Sequence, residues 1–426
     1  MNKKQSSKYM AILLGAVLLI GLAVFLFSGR DSVFEQSDSA QTDTEEPAET
    51  SDEEDSETLE DDDVPEDLDD EEDSAESDDS SVLEEQPVMF EESAFELPVV
   101  GAGGYTSVET GLHGSPTKDV PEKDVLDAGT PFMVREEQGD WWHIQTENQQ
   151  GWINNRLALI NLPDVVPSII YDNPNNYASI FRSSFMDIPG ITGEKLYEGF
   201  GYNERLGRDE FIMPIIYSTA MKIAQAQQAA MENDETLVVM ETFRPFSAQV
   251  LVNEKLTALA EENDEVREGL TEEPWSMNWF INTGVSNHQR GLAVDLTLAR
   301  VNERDEKVID QYIVPHIIDY TVYEMYSPIF ELSTASAMLI RPIAARNRTG
   351  WQDIPYHDYV NEEAIRLESY MFEADMIPIP SEWWHFNDID VLEAYEGELG
   401  SGGFQLENLL NAVPSQLEQD NDNQVD

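Results

Sequence analysis

Gly291-Leu292-Ala293-Val294-Asp295-Leu296-Thr297-Leu298 sets large apolar residues alternately with Ala293, Asp295 and Thr297, the period of two expected of a half-buried strand. Leu292, Val294, Leu296 and Leu298 then share one face. Asp295 points from the other, next to small Ala293, which leaves room for an ion. Immediately upstream runs Ser286-Asn287-His288-Gln289-Arg290, and Gly291 permits a turn that returns His288 over the strand. His288 and Asp295 can therefore meet one ion.

A second stretch, Glu382-Trp383-Trp384-His385, follows Ile377-Pro378-Ile379-Pro380, whose prolines argue against a helix. In an extended segment, side chains three residues apart lie on opposite sides unless the backbone turns, and the sequence leaves that geometry open. The two stretches together hold two imidazoles, a ligand-competent carboxylate and a spare carboxylate. Zinc in hydrolases takes three ligands from His, Asp or Glu and keeps a further position open, while a nearby Glu accepts a proton from water. Taken singly, Asp295 is accounted for by hydrogen bonding and His385 by packing against tryptophan; the combination points to a metal. The other four histidines, His113, His143, His316 and His357, read as structural or surface residues.

Both stretches are complete matches to S-x-H-x-x-G-x-A-x-D and E-x-W-H. In these the chain resembles the zinc D-alanyl-D-alanine peptidases, and Gly291 to Leu298 with Glu382 to Phe386 are most similar to the D-alanyl-D-alanine dipeptidases of vancomycin-resistance type. Glu241-Thr242-Phe243-Arg244-Pro245 is similar to the family's Y-R-P segment after a strand, here Leu237 to Met240. Asn173 to Tyr177 and Ile191 to Tyr197 look like the start of the same domain. The resemblance covers about residues 164 to 392. Two departures stand out. Phe243 replaces the usual tyrosine, and Glu324-Met325-Tyr326-Ser327-Pro328-Ile329-Phe330-Glu331 stands where the dipeptidases carry a D-M-G-T-x-F-D-like segment.

The resemblance implies zinc as cofactor, with His288, Asp295 and His385 as ligands, Glu382 as catalytic base and Arg244 as stabiliser of developing charge. Elementary chemistry agrees with these roles: a carboxylate near the metal can shuttle a proton, and a guanidinium stays charged and holds a fixed fork of donors. Ser286 either orients His288 or contacts substrate.

Met10 to Phe27 is an uncharged apolar stretch preceded by Lys3, Lys4 and Lys8. It predicts a transmembrane helix with the amino terminus inside and the rest outside. A cleaved signal peptide is the alternative, disfavoured by the length of the stretch and the lack of a cleavage site. The chain has no cysteine, which excludes disulfides, thiolate ligands and a lipoprotein anchor. Residues 31 to 97 contain 31 Asp or Glu and no Lys or Arg, so self-repulsion predicts a disordered tether over 31–95. Its rival reading is an acidic tail that binds cations or a partner. Residues 98 to 426 add 55 acids against 20 bases, and the formal net charge is -62. Nucleic acid is excluded as a partner for such a surface, and the acidity is consistent with a salty or alkaline exterior.

Over 96–163, Pro131 to Arg135, Trp141 to Ile144 and Gly151 to Ile153 are short apolar runs split by turns, which predict a small all-β barrel and resemble bacterial SH3-like domains. Trp141, Trp142 and Trp152 are candidates for a peptide groove or for core. Helices are predicted over Asp209 to Met231 and Asn361 to Ala374, with the acidic 401–426 tail flexible beyond a short Leu406 to Ala412 helix. The expected fold is thus an α+β catalytic zinc peptidase domain over 164–400, preceded by the SH3-like barrel, the acidic tether and one transmembrane helix over 1–30. The expected activity is hydrolysis of D-Ala-D-Ala bonds in wall-derived peptides by an enzyme anchored in the cell membrane and facing the cell wall. Trimming of stem pentapeptides by a D,D-carboxypeptidase is the nearest alternative, and a noncatalytic wall-binding module is the alternative of another class.

Overall fold

A computed structural model describes residues 86–344, 346–400, 402 and 406. Seven strands come first: β1 (Gly103–Thr106), β2 (Thr110–His113), β3 (Glu122–Leu126), β4 (Pro131–Gln138), β5 (Trp141–Gln145), β6 (Gln150–Asn154) and β7 (Ala158–Asn161). Short strands follow: β8 (Ile170–Tyr171), then the pairs β9 (Arg182–Ser183) with β10 (Met186–Asp187) and β11 (Phe200–Asn203) with β12 (Arg208–Phe211). Next come β13 (Pro214–Ile216), α1 (Tyr217–Met231), β14 (Glu235–Glu241), α2 (Phe246–Glu262) and α3 (Asp264–Thr271). The chain continues with β15 (Ala293–Ile309), β16 (Tyr312–Val322), α4 (Glu362–Glu373), β17 (Ile377–Ile379), β18 (Glu382–Asn387) and α5 (Ile389–Ala394).

Two sheets organise these elements. One is an eight-stranded antiparallel sheet in the order β13-β7-β1-β4-β5-β6-β2-β3. The other has six strands, β17-β18-β15-β14-β8 with β16 paired to β15, and only β8 runs parallel to its neighbour β14. Thr236 to Val239 of β14 are buried, as expected of an apolar run central in a sheet. The α1 helix buries small residues, Ala220, Ala224, Ala226 and Ala230, which lets it approach β14 and α4 closely.

The expected fold class is corrected by this topology. The molecule is sheet-rich, and the predicted barrel is not a separate unit before an α+β domain. Its edge strand β7 pairs with β13 from the following segment, Ile160 lying opposite Ile215. An unpaired edge exposes a row of backbone donors and acceptors; β13 covers that row. One apolar cluster runs from Trp142, Leu159 and Ile160 through Ile215 and Ile216 to Leu292, Val294 and Phe386, so both sheets share a core.

The helix expected from Asp209 is corrected too. It begins at Tyr217, and β12 and β13 occupy the preceding residues. Pro214 and the β-branched Ile215 and Ile216 suit the sheet edge. The helix expected over Asn361 to Ala374 is present as Glu362–Glu373, with Asn361 and Ala374 as its two caps. The predicted transmembrane helix and acidic tether lie outside the described residues, except for the tether's last residues, and so does the tail helix apart from Leu406. Among the described residues, no helix is long and apolar enough to cross a membrane.

Candidate metal centre

Three strands place the centre. Asp295 of β15 pairs with His385 of β18 on one side and with Glu241 of β14 on the other. Glu241, Asp295 and His385 therefore form a row across the sheet. His288 arrives from a single 3-10 turn, His288–Arg290, closed by Gly291 in the left-handed conformation at φ +68. That is the turn expected of a glycine. The strand itself differs from expectation: Ala293, Asp295 and Thr297 are as buried as the leucine face, because the returning His288 turn and Arg244 cover their side.

The backbone of β18 resolves the spacing of the second motif. Ile379 pairs with Glu382 while neighbouring Pro378 pairs with Phe386, a marked irregularity. This break brings the Glu382 carboxyl to 3.9 Å from His385 Nδ1, although a regular strand would send the two apart. Trp383 and Trp384 are both buried at this point, and Trp383 Nε1 donates to Ser327 Oγ at 3.0 Å.

The tautomers follow from the partners. His288 Nδ1 lies 2.6 Å from the carbonyl of Thr242, which only accepts, so Nδ1 carries the proton and Nε2 the lone pair. His385 Nε2 lies 3.2 Å from Asn387 Oδ1, so its Nδ1 holds the lone pair. The two lone-pair nitrogens are 3.2 Å apart. Asp295 Oδ2 is 3.2 Å from His288 Nε2, and Oδ1 is 2.8 Å from His385 Nδ1. Three electron-pair donors thus converge in a buried site, and a metal ion satisfies all of them at once. His288, Asp295 and His385 form a buried group able to hold a metal ion. Burial opposes the charge on Asp295, yet His288 and His385, if protonated, would hold its carboxyl well below the usual carboxylate range.

Glu382 has the opposite character. Burial first, then the charge of Asp295, push its carboxyl well above the usual range, against the pull of Arg244. It has high proton affinity within reach of the donor set. Arg244 is buried, and Nη2 lies 3.1 Å from Asp295 Oδ2. Its Nε donates to Glu241 Oε2 at 2.6 Å and Nη1 to Gln249 Oε1 at 2.9 Å. Burial disfavours the cation, but Glu241 and Asp295 outweigh it and raise the guanidinium above its ordinary value. Ser286 Oγ accepts the amide of His288 at 3.2 Å, which shapes the turn that carries this ligand.

All six candidate residues gather here. The other histidines stay apart: His113 packs on Trp141, His143 on Trp152 and His357 on Tyr359, while His316 lies opposite Asp305 in β16. Trp142 is a core residue whose Nε1 donates to Glu137 Oε1 at 3.0 Å. Residues without a predicted role also matter: Thr242, Asn387, Glu241 and Gln249. Asn387 had a readable signal, since it stands two residues from His385 on one face of a strand. The Thr242 carbonyl had none, because a backbone group leaves no trace in side-chain patterns. Compared with family models and with curated proteins, the chain matches none.

Proposed function

We propose that the chain is a zinc metallopeptidase acting on D-Ala-D-Ala bonds, with His288, Asp295 and His385 holding the ion and Glu382 moving the proton. The observation that carries this reading is the convergence of three lone-pair donors on one point beside a proton-avid, non-ligating carboxyl. Zinc, when bound there, supplies Lewis acidity that polarises the scissile carbonyl and eases the loss of a proton from water. Glu382 takes that proton and returns it to the leaving amine. A carboxyl whose proton affinity is raised by burial suits both halves of the exchange. Arg244 contributes positive potential beside the site, where negative charge develops on the carbonyl oxygen. The peptide class comes from the resemblance of the two motifs and the Arg244 segment; the donor geometry supports hydrolysis in general. An extracytoplasmic, wall-facing place of action rests on the amino-terminal sequence alone.

Choice between a free dipeptide and a stem peptide is assigned to the Glu324 to Glu331 stretch. It packs directly on the second motif: Phe330 meets Trp384 edge-on at 6.1 Å, and Ser327 accepts from Trp383. The test compares hydrolysis of free D-Ala-D-Ala with hydrolysis of a D-Ala-D-Ala-terminated pentapeptide, by the zinc-loaded chain and its Glu382→Ala variant. The expected result is cleavage of at least one substrate, falling by about 100-fold or more in the variant. Equal inertness of both proteins, with binding to wall sacculi retained, would replace this reading with that of a noncatalytic binding module.

A further inference from the structure

We propose that Glu241 is a positioning residue that sets the metal affinity of the centre by holding Arg244 against Asp295. Glu241 is fully buried at the end of β14. A bulge between Val239 and Glu241 lets one extra residue into β14 and leaves Glu241 opposite Asp295. Both its oxygens are engaged. Oε1 accepts from Asn175 Nδ2 at 2.8 Å and from the Tyr197 hydroxyl at 2.5 Å. Oε2 accepts from Arg244 through Nε, and Nη2 also contacts it.

Arg244 is fixed on its remaining sides as well. Gln249 Oε1 accepts from Nη1, and Gln249 is itself tied to the carbonyl of Asn282 at 3.0 Å. The Phe181 ring lies 5.3 Å from the guanidinium carbon. A planar fork gripped in this way meets Asp295 at one orientation only. Glu241 also balances charge. An uncompensated guanidinium 3.1 Å from Asp295 Oδ2 would draw electron density and position away from a metal held by the same carboxylate. With Glu241 in place the cation is shared between two carboxylates, and Asp295 keeps its donor strength. Glu241, Arg244 and Asp295 thus run as one hydrogen-bonded row that ends at the donor set, where Asp295 Oδ1 and His385 Nδ1 both present lone pairs.

This inference rests on the metal-centre reading and is independent of the peptide substrate. The experiment titrates the full-length chain with Zn2+ in competition with a chromogenic chelator, and with Co2+ to record its absorption bands. For Glu241→Gln, the Zn2+ dissociation constant rises about 10- to 100-fold and the Co2+ bands shift, while the metal-free protein, destabilised by the loss of a buried partner for Arg244, still unfolds cooperatively. Tyr197→Phe removes one donor to Glu241 and keeps both charges, and it weakens Zn2+ binding about 2- to 10-fold. If Glu241→Gln does not fold, Tyr197→Phe decides. Folded variants that bind Zn2+ within about 2-fold of the wild type overturn the proposal. A wild-type chain that binds no Zn2+ overturns it together with the metal centre, whereas one that binds Zn2+ and cleaves nothing overturns only the proposed function.

Discussion

Each histidine of the centre is oriented by an acceptor that has no proton to give. For His288 that acceptor is the Thr242 carbonyl, and for His385 it is Asn387 Oδ1, which also accepts from Asn287 Nδ2 at 2.7 Å. The Asn387 amide therefore sets which nitrogen of His385 faces Asp295. Replacing it, Asn387→Ala, frees the ring to turn and leaves its N–H without an acceptor. Metal affinity should fall about 10- to 100-fold, measured as Zn2+ retained against a competing chelator. The side chains meant to hold the metal were legible because a strand period and a turn glycine suffice to bring His288 and Asp295 together. Their orienting partners were legible only in part. Asn387 shares a strand face with His385, whereas the role of Glu241 depends on a bulge that no local pattern announces.

At the scale of elements, Gly291 joins the turn that bears His288 to the strand that bears Asp295. It sits at φ +68, and a Cβ there would lie 2.4 Å from Leu159 Cδ2 and 3.2 Å from the Ile216 amide. Gly291→Ala should cost about 1–3 kcal/mol through backbone strain and the clash, and should lower metal occupancy because His288 moves with the turn. Thermal melting and metal content of the purified variant check both effects. A second element carries a pH signature. Glu368 on α4 is buried, bonded to the Tyr356 hydroxyl at 2.6 Å, and burial raises its pKa to about 7. Because the folded pKa lies above the unfolded one, the folded state holds the proton more tightly. Stability is then fully present below about pH 4.5 and is lost as pH rises through about 7. Glu368→Gln, which cannot ionise, should match the wild type at pH 4 and exceed it by roughly 3 kcal/mol at pH 8, as read by urea denaturation. The helix misjudged at Asp209 teaches a related point: residues 209 to 216 keep helical spacing in sequence, but pairing with β7 offers Ile215 and Ile216 more burial than a helix end does.

For the whole molecule, continuity of the core has a measurable consequence. Ile215 and Ile216 of β13 pair with β7 and sit in the same apolar cluster as Trp142 and Phe386. Residues 86 to 406 should unfold in one cooperative transition, with coincident midpoints from tryptophan fluorescence and far-ultraviolet circular dichroism. Residues 96 to 163 expressed alone lack β13 and the shared core, and should show no cooperative transition. Two separated transitions in the intact chain would restore the independent barrel that the topology argues against.

The amino-acid sequence by itself determined the donors: which imidazoles and carboxylates lie in strands and turns that can meet, and that a glycine must join them. Those relations are local, set by a two-residue strand period and by the conformational freedom of one residue. Only the tertiary structure decided that β13 seals the edge of β7, that β18 breaks its regular pairing to aim Glu382 at the site, and that Glu241 grips Arg244. Each of these joins segments far apart in the chain. They arise where unpaired strand edges and buried charges must find partners, a demand that is met in space and leaves no periodic mark along the sequence.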